Sequence, residues 1–219
     1  YLSSLLSSHP QVDAVYERFA VLNQKGASAQ EQINWATSFW SPNFLNRVKA
    51  RGFKTKLIDV LDIPAFRTLL TNKKCRVIHI QRRNKVKAVI SKINAKRLYD
   101  KSGYWNLYSK EDRVPPALFD TSEVKTLLGE REMLETELNQ FVCDLQVPKI
   151  AITYEDLVLQ REDALTSIFN LLRVDQKPVE SKTLKHTSDN LMDVIENFSE
   201  LKADFQGTPY FEMFEEGNN

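Results

Sequence analysis

Residues 76–91 read RVIHIQRRNKVKAVIS, and their hydrophobic period changes part-way along. Val77, Ile78 and Ile80 make a β-branched run, broken only by His79 and too short for a helix, so a strand is expected. Val86, Val89, Ile90 and Ile93 then recur at helical spacing. The chain therefore turns from strand to helix near Arg83 and Asn84, with Arg83 at the carboxyl end of the strand and Ser91 about two turns into the helix. In an open α/β sheet ligands gather at that edge, where a helix start offers free N–H groups and the positive end of its dipole to an anion. An arginine adds a planar fork suited to phosphate, and a serine hydroxyl one more donor. A solvated basic helix beside a buried strand fits the same letters.

The charge distribution sharpens this choice. The 219 residues carry 30 Lys and Arg against 29 Asp and Glu, yet residues 73–101 hold 11 of the basic residues and one acid, Asp100. One basic patch thus sits on an otherwise acidic chain, which suits a small polyanion better than nucleic acid: the patch has neither zinc-finger spacing nor an aromatic ribonucleoprotein run. Cys75 and Cys143 fit no disulfide framework or metal pattern and are expected reduced and buried. No stretch approaches the roughly 20 apolar residues of a membrane span.

Residues 1–8 place Leu2, Leu5 and Leu6 on one helical face, stopped by His9-Pro10; His9 is expected to be structural. Val12, Val15 and Phe19 follow, with Glu17 among them as a carboxylate just past the first helix. A helix over 29–40 carries Trp35 and Trp40, which suit either core packing or the wall of an acceptor pocket. Ser41-Pro42 predicts a further helix through Arg51, ended by Gly52, and residues 53–61 a second strand. Pro64 begins another helix. Beyond Arg97 an aperiodic aromatic stretch predicts a mobile loop over a binding site. Asp120 and Glu123 look like a capping box for a long helix striped with Val124, Leu128, Leu134 and Phe141. A third strand, KIAITYEDL, ends in Glu155 and Asp156, and a short helix over 190–198 belongs to the tail. Alternating strands and helices predict an α/β domain with a mostly parallel sheet, spanning 1–219 with acceptor-side helical insertions at about 27–51 and 99–119.

An arginine and a serine eight positions apart at such a turn resemble the pair that holds the 3′-phosphate of the donor in sulfotransferases using 3′-phosphoadenosine 5′-phosphosulfate (PAPS). LLSSHPQV at 5–12, GFK at 52–54, RRN at 82–84, YEDL at 154–157 and LKADFQGT at 201–208 are similar, in order, to segments of the bacterial carbohydrate and nodulation-factor branch. The resemblance implies a three-layer domain of the phosphate-loop class whose first strand and Ser-Gly-Thr-rich loop lie upstream of Tyr1. It implies PAPS as co-substrate, no metal, Arg83 and Ser91 on the 3′-phosphate, and Lys185 on a late loop near the donor. YERF at 16–19 resembles the family's acidic general base, which makes Glu17 the expected proton acceptor. The implied partner is a small-molecule or glycan acceptor, and the implied compartment is the cytoplasm, or the Golgi lumen if a membrane anchor has been removed.

Two other classes stay open. A nucleotide kinase or NTPase of the phosphate-loop class predicts an upstream GxxxxGK[ST] loop and a magnesium requirement. A non-catalytic paralogue would keep the basic turn only to bind an anion.

Overall fold

A computed structural model describes residues 1–41, 48–181, 187–188 and 190–215. The chain packs as two compact units, residues 1–81 with 137–181, and residues 82–136 with 182–219.

The first unit holds every strand among the described residues. β1 (Val12–Val15) pairs in parallel with β2 (Ala50–Phe53), and β3 (Val77–Gln81) in parallel with β4 (Lys149–Thr153). Parallel pairs need long crossovers. The first runs through α2 (Arg18–Gln24) and α3 (Ala29–Phe39), after α1 (Leu2–Ser8) has opened the chain; α4 (Ile63–Asn72) leads from β2 into β3. The second runs through α5 (Lys85–Ser102) and α6 (Thr121–Asp144), and α7 (Tyr154–Leu159) and α8 (Arg161–Leu172) follow β4.

Strand residues alternate between two apolar clusters. Val12, Ala14, Ala50, Ile150 and Ile152 pack with Leu5 of α1, Leu157 of α7 and Ile168 of α8. Phe53 and Val77 pack on the other cluster with Phe19, Ala36, Phe66 and Phe141. β3 sends Ile78 to the first cluster and Val77 to the second, whereas β4 sends Ile150 and Ile152 to the first alone.

The second unit is built on α5, the first part of α6, and α9 (Phe198–Ala203). Val86, Val89 and Ile90 of α5 meet Val124 and Leu128 of α6 and the tail residues Leu201, Phe205 and Phe214. LKADFQGT serves this core: Leu201 and Phe205 are buried, and Gly207, at φ +75°, turns the chain. Several of the unit's basic residues are met at close range. Lys85 pairs with Glu132 at 2.9 Å and Lys92 with Glu130 at 3.5 Å, so α6 supplies countercharge to two lysines of α5.

Several expectations are corrected. A strand absent from the sequence reading, β1, lies at Val12–Val15; with four residues and Asp13 among them it gives almost no pattern. The helix expected through Arg51 does not reach that residue: 42–47 lie outside the described residues, and Ala50 and Arg51 belong to β2. The β1 ladder and the Arg51–Asp13 ion pair, 2.8 Å, override helical propensity there. Gly52 is a strand residue rather than a helix stop. Of the strand expected over 53–61 only Phe53 belongs to a strand, and Leu57–Asp59 is a short 3-10 turn. Buried Gln32 fixes that turn, its amide donating to the Asp59 carbonyl at 2.8 Å and its carbonyl accepting from Leu61 N–H at 3.1 Å. α5 runs five residues beyond Arg97 and stops at Gly103, whose left-handed φ of +77° closes it. No helix spans 190–198: Leu191–Asp193 is a 3-10 turn and Ile195 bridges to Ala117. Cys143 is exposed, not buried.

Candidate functional site

The sequence candidates fall into both units, and each group is described within its own. In the first unit β1 and β2 end side by side, Lys54 N–H continuing the ladder by donating to Val15 O at 2.9 Å. Two residues past β1, Glu17 therefore lies beside the residues that follow β2. Its carboxylate accepts a hydrogen bond from Lys54 Nζ and lies 3.6 Å from Lys56 Nζ.

The backbone at Glu17 is strained. With φ +25° and ψ +44° it occupies a region that disfavours residues bearing a Cβ. Glu17 also holds the N-cap position of α2, yet its side chain caps nothing and reaches the lysines instead. An N-cap normally uses Ser, Thr, Asp or Asn to satisfy the helix start. Two local rules are broken at one residue, a pattern that belongs to sites held for a purpose other than stability. Partial burial opposes ionisation of this carboxyl, but the Lys54 hydrogen bond and the charges of Lys54 and Lys56 outweigh it and hold its pKa below the usual value. Glu17 is thus a carboxylate at neutral pH.

Lys54 and Lys56 were not singled out by the sequence reading beyond the letters GFK. Their pairings with Glu17 span 37 and 39 positions and have no local signature.

Tyr154, Glu155 and Asp156 open α7. The Thr153 hydroxyl accepts from Asp156 N–H at 3.0 Å, and the Asp156 carboxylate accepts from Thr153 N–H at 3.3 Å, completing a capping box. YEDL is therefore a helix start rather than the tail of a strand, which gives Asp156 a structural task. His9 is structural as well: only 2% exposed, it accepts from Gln11 N–H through Nδ1 at 3.1 Å and donates from Nε2 to the Asp175 carbonyl at 2.9 Å. The hydrogen bond from Gln11 fixes the proton on Nε2. Trp35 and Trp40 stack on Phe39 and Phe53 against the apolar cluster, which settles them as packing residues.

In the second unit the turn after β3 is organised by Asn84. Its carbonyl accepts from Lys87 N–H at 2.8 Å, the N-cap bond of α5, while its amide donates to Met213 O at 2.7 Å. Asn84 is 2% exposed, so the turn is locked by a buried side chain with both ends engaged. Arg83 precedes it as an exposed residue. Ser91 is half-buried two turns along α5, and its hydroxyl makes no hydrogen bond among the described residues. A helical serine commonly returns its hydroxyl to the carbonyl four residues back; Ser91 does not. The strand-to-helix turn predicted from residues 76–91 is present, with Arg83 and Ser91 where the period change put them. Lys185 lies outside the described residues.

Tyr210, next to the LKADFQGT segment, shares Glu132 with Lys85. Burial, the hydrogen bond to Glu132 and the charges of Glu132 and Glu135 push its phenol up to about 12. No group of three or more His, Cys, Asp or Glu suited to a metal occurs among the described residues. None of the described helices is long and apolar enough to cross a membrane. No family model matches this chain, and neither a curated protein nor a solved structure matches it.

Proposed function

We propose that the chain transfers a sulfuryl group from PAPS to a hydroxyl of a carbohydrate or glycolipid-like acceptor, on a three-layer fold of the phosphate-loop class. The observation that carries this reading is the Asn84-locked turn, with Arg83 beside it and an unpaired Ser91 hydroxyl on the helix it opens. Arg83 and Ser91 hold the 3′-phosphate. A guanidinium fork beside a helix start and a hydroxyl donor two turns along the same helix are the groups a phosphate dianion accepts from.

In the reaction the acceptor oxygen attacks sulfur, the bond from sulfur to the donor's phosphate oxygen breaks, and adenosine 3′,5′-bisphosphate leaves with the electron pair. The acceptor proton passes to the Glu17 carboxylate. Lys54 and Lys56 keep that carboxylate ionised, the state a base needs, and their positive charge favours the anionic transition state.

Isothermal titration of adenosine 3′,5′-bisphosphate into the natural full-length protein tests the donor half. Arg83→Ala should weaken binding tenfold or more, the size of a lost charge-assisted contact of about 1.5–3 kcal/mol, and Ser91→Ala by less. Wild-type affinity in Arg83→Ala ends the assignment. Glu17→Gln should bind the nucleotide normally while losing about 10²–10⁴ in turnover. Sulfuryl transfer should persist in EDTA, whereas a kinase would stop.

A further inference from the structure

The last turn of α5 and the loop after it present four aromatic side chains to solvent. Tyr99 is 41% exposed, Tyr104 62%, Trp105 54% and Tyr108 56%. They form two ring pairs: Tyr99 stacks on Trp105 with centroids 4.6 Å apart and planes 17° from parallel, and Tyr104 meets Tyr108 edge-on at 6.1 Å. Tyr104 and Trp105 are consecutive, so the two pairs adjoin along the chain.

This surface is held rather than loose. Leu107, between the pairs, is 1% exposed and anchors the loop. Arg97 donates to the Pro115 carbonyl at 3.0 Å, and Lys101 Nζ lies 3.4 Å from the carbonyls of Glu111 and Asp112. The loop therefore keeps large rings in water although it has an apolar anchor of its own, an arrangement that marks a contact surface.

Its chemistry selects the occupant. The three phenol hydroxyls and the indole N–H make no hydrogen bond among the described residues, leaving planar apolar faces ringed by unsatisfied donors. The exposed large hydrophobic residues from 99 to 108 are all aromatic, and the next one along the chain, Leu118 at 72% exposed, lies ten positions beyond Tyr108, so little aliphatic surface is offered to an acyl chain. Flanking charges are mixed, Lys101, Lys110 and Arg113 with Asp100, Glu111 and Asp112, which disfavours a polyanion or an anionic bilayer. A pyranose ring has the complementary character: an axial C–H face that stacks on an aromatic ring, and an equatorial rim of hydroxyls that takes and gives hydrogen bonds.

We propose that Tyr99, Tyr104, Trp105 and Tyr108 form a saccharide platform that binds two or more sugar units of a neutral oligosaccharide. Its service as the acceptor subsite rests on the transferase reading; the binding itself does not. Saturation-transfer NMR with cellotetraose, chitotetraose and maltotetraose, each added to the natural protein without nucleotide, tests it. At least one should bind, and Trp105→Ala and Tyr108→Ala should each weaken it tenfold or more while the circular dichroism spectrum stays unchanged. Both side chains are exposed, so the variants fold. Absence of transfer to all three sugars overturns the proposal, as does undiminished binding in the double variant Trp105→Ala/Tyr108→Ala. Sedimentation of the wild type with phosphatidylcholine–phosphatidylglycerol vesicles, without sugar binding, assigns the surface to membrane instead and equally overturns it. Adenosine 3′,5′-bisphosphate affinity of the wild type separates the two readings: a wild type that binds the nucleotide but none of the sugars sinks only the platform, and one that binds a sugar but not the nucleotide sinks only the donor assignment.

Discussion

Cys75 and Cys143 are both free thiols, but burial pushes Cys75 up to about 11, while Cys143 stands exposed on the last turn of α6. Since the thiolate is the reactive species, iodoacetamide at pH 8 should label Cys143 readily and Cys75 at least tenfold more slowly, read by peptide mass spectrometry. Equal labelling would mean that the site around Cys75 opens to solvent. Asn84 makes a sharper test, because its two ends do different work. Asn84→Ala should cost about 1–3 kcal/mol by denaturant midpoint, through a lost cap and a stranded Met213 carbonyl. Asn84→Asp keeps the cap acceptor but loses the donor to Met213, so it should destabilise as well. At this scale the sequence was partly legible. The turn from β3 into α5 at Arg83 and Asn84 announces itself because the hydrophobic period changes within a few positions, whereas the Thr153–Asp156 cap reads in the sequence as the end of a strand. Lys54 with Glu17, and Arg51 with Asp13, meet only after β1 and β2 have paired, 37 and 38 positions apart, and no local pattern foretells them.

Among the elements, α6 was readable end to end, since Asp120 accepts from Glu123 N–H at 2.8 Å at its start and the apolar stripe recurs every third or fourth residue. It carries one flaw, Gly129, exposed in the helix interior with open space where a Cβ would stand. Gly129→Ala should raise stability by about 0.5–1 kcal/mol, measured by urea denaturation; a loss would show that the helix bends there. In α7, Thr153→Ala should cost about 1 kcal/mol. β3 and β4 were legible for a different reason from α6: Val77, Ile78 and Ile80, and Ile150 and Ile152, are β-branched residues packed closely together in runs too short for a helix. β1 and β2 were not, because four residues containing Asp13, or Arg51 and Gly52, show neither alternation nor a run. Their pairing, not their composition, makes them strands.

For the molecule as a whole, electrostatics set the pH range of stability. Glu17 and Glu132 titrate below the ordinary 4.5, Glu17 because its lysines outweigh burial and Glu132 because Lys85 and Tyr210 favour its charged form. Asp120 and Asp175 lie below 3.8, Asp120 through the Ser122 hydroxyl and the Glu123 N–H, Asp175 through Lys49 and Gln11. Depressed folded values mean that these contributions are complete above the unfolded values and drain away as pH falls through the folded ones. Denaturant midpoints should therefore be flat from about pH 6 to 8 and decline below about pH 4.5. A midpoint that rises on acidification would contradict the pairings. The exposed pairs between α5 and α6 should in addition weaken with added salt, by less than about 1 kcal/mol each. Glu17 adds a consequence for how this protein can evolve. Its left-handed backbone would relax in Glu17→Gly, and that variant would lose the carboxylate held by Lys54 and Lys56. Selection for heat resistance alone would tend to erase the residue, so lineages that retain it at high growth temperature would have to recover the lost stability at other positions.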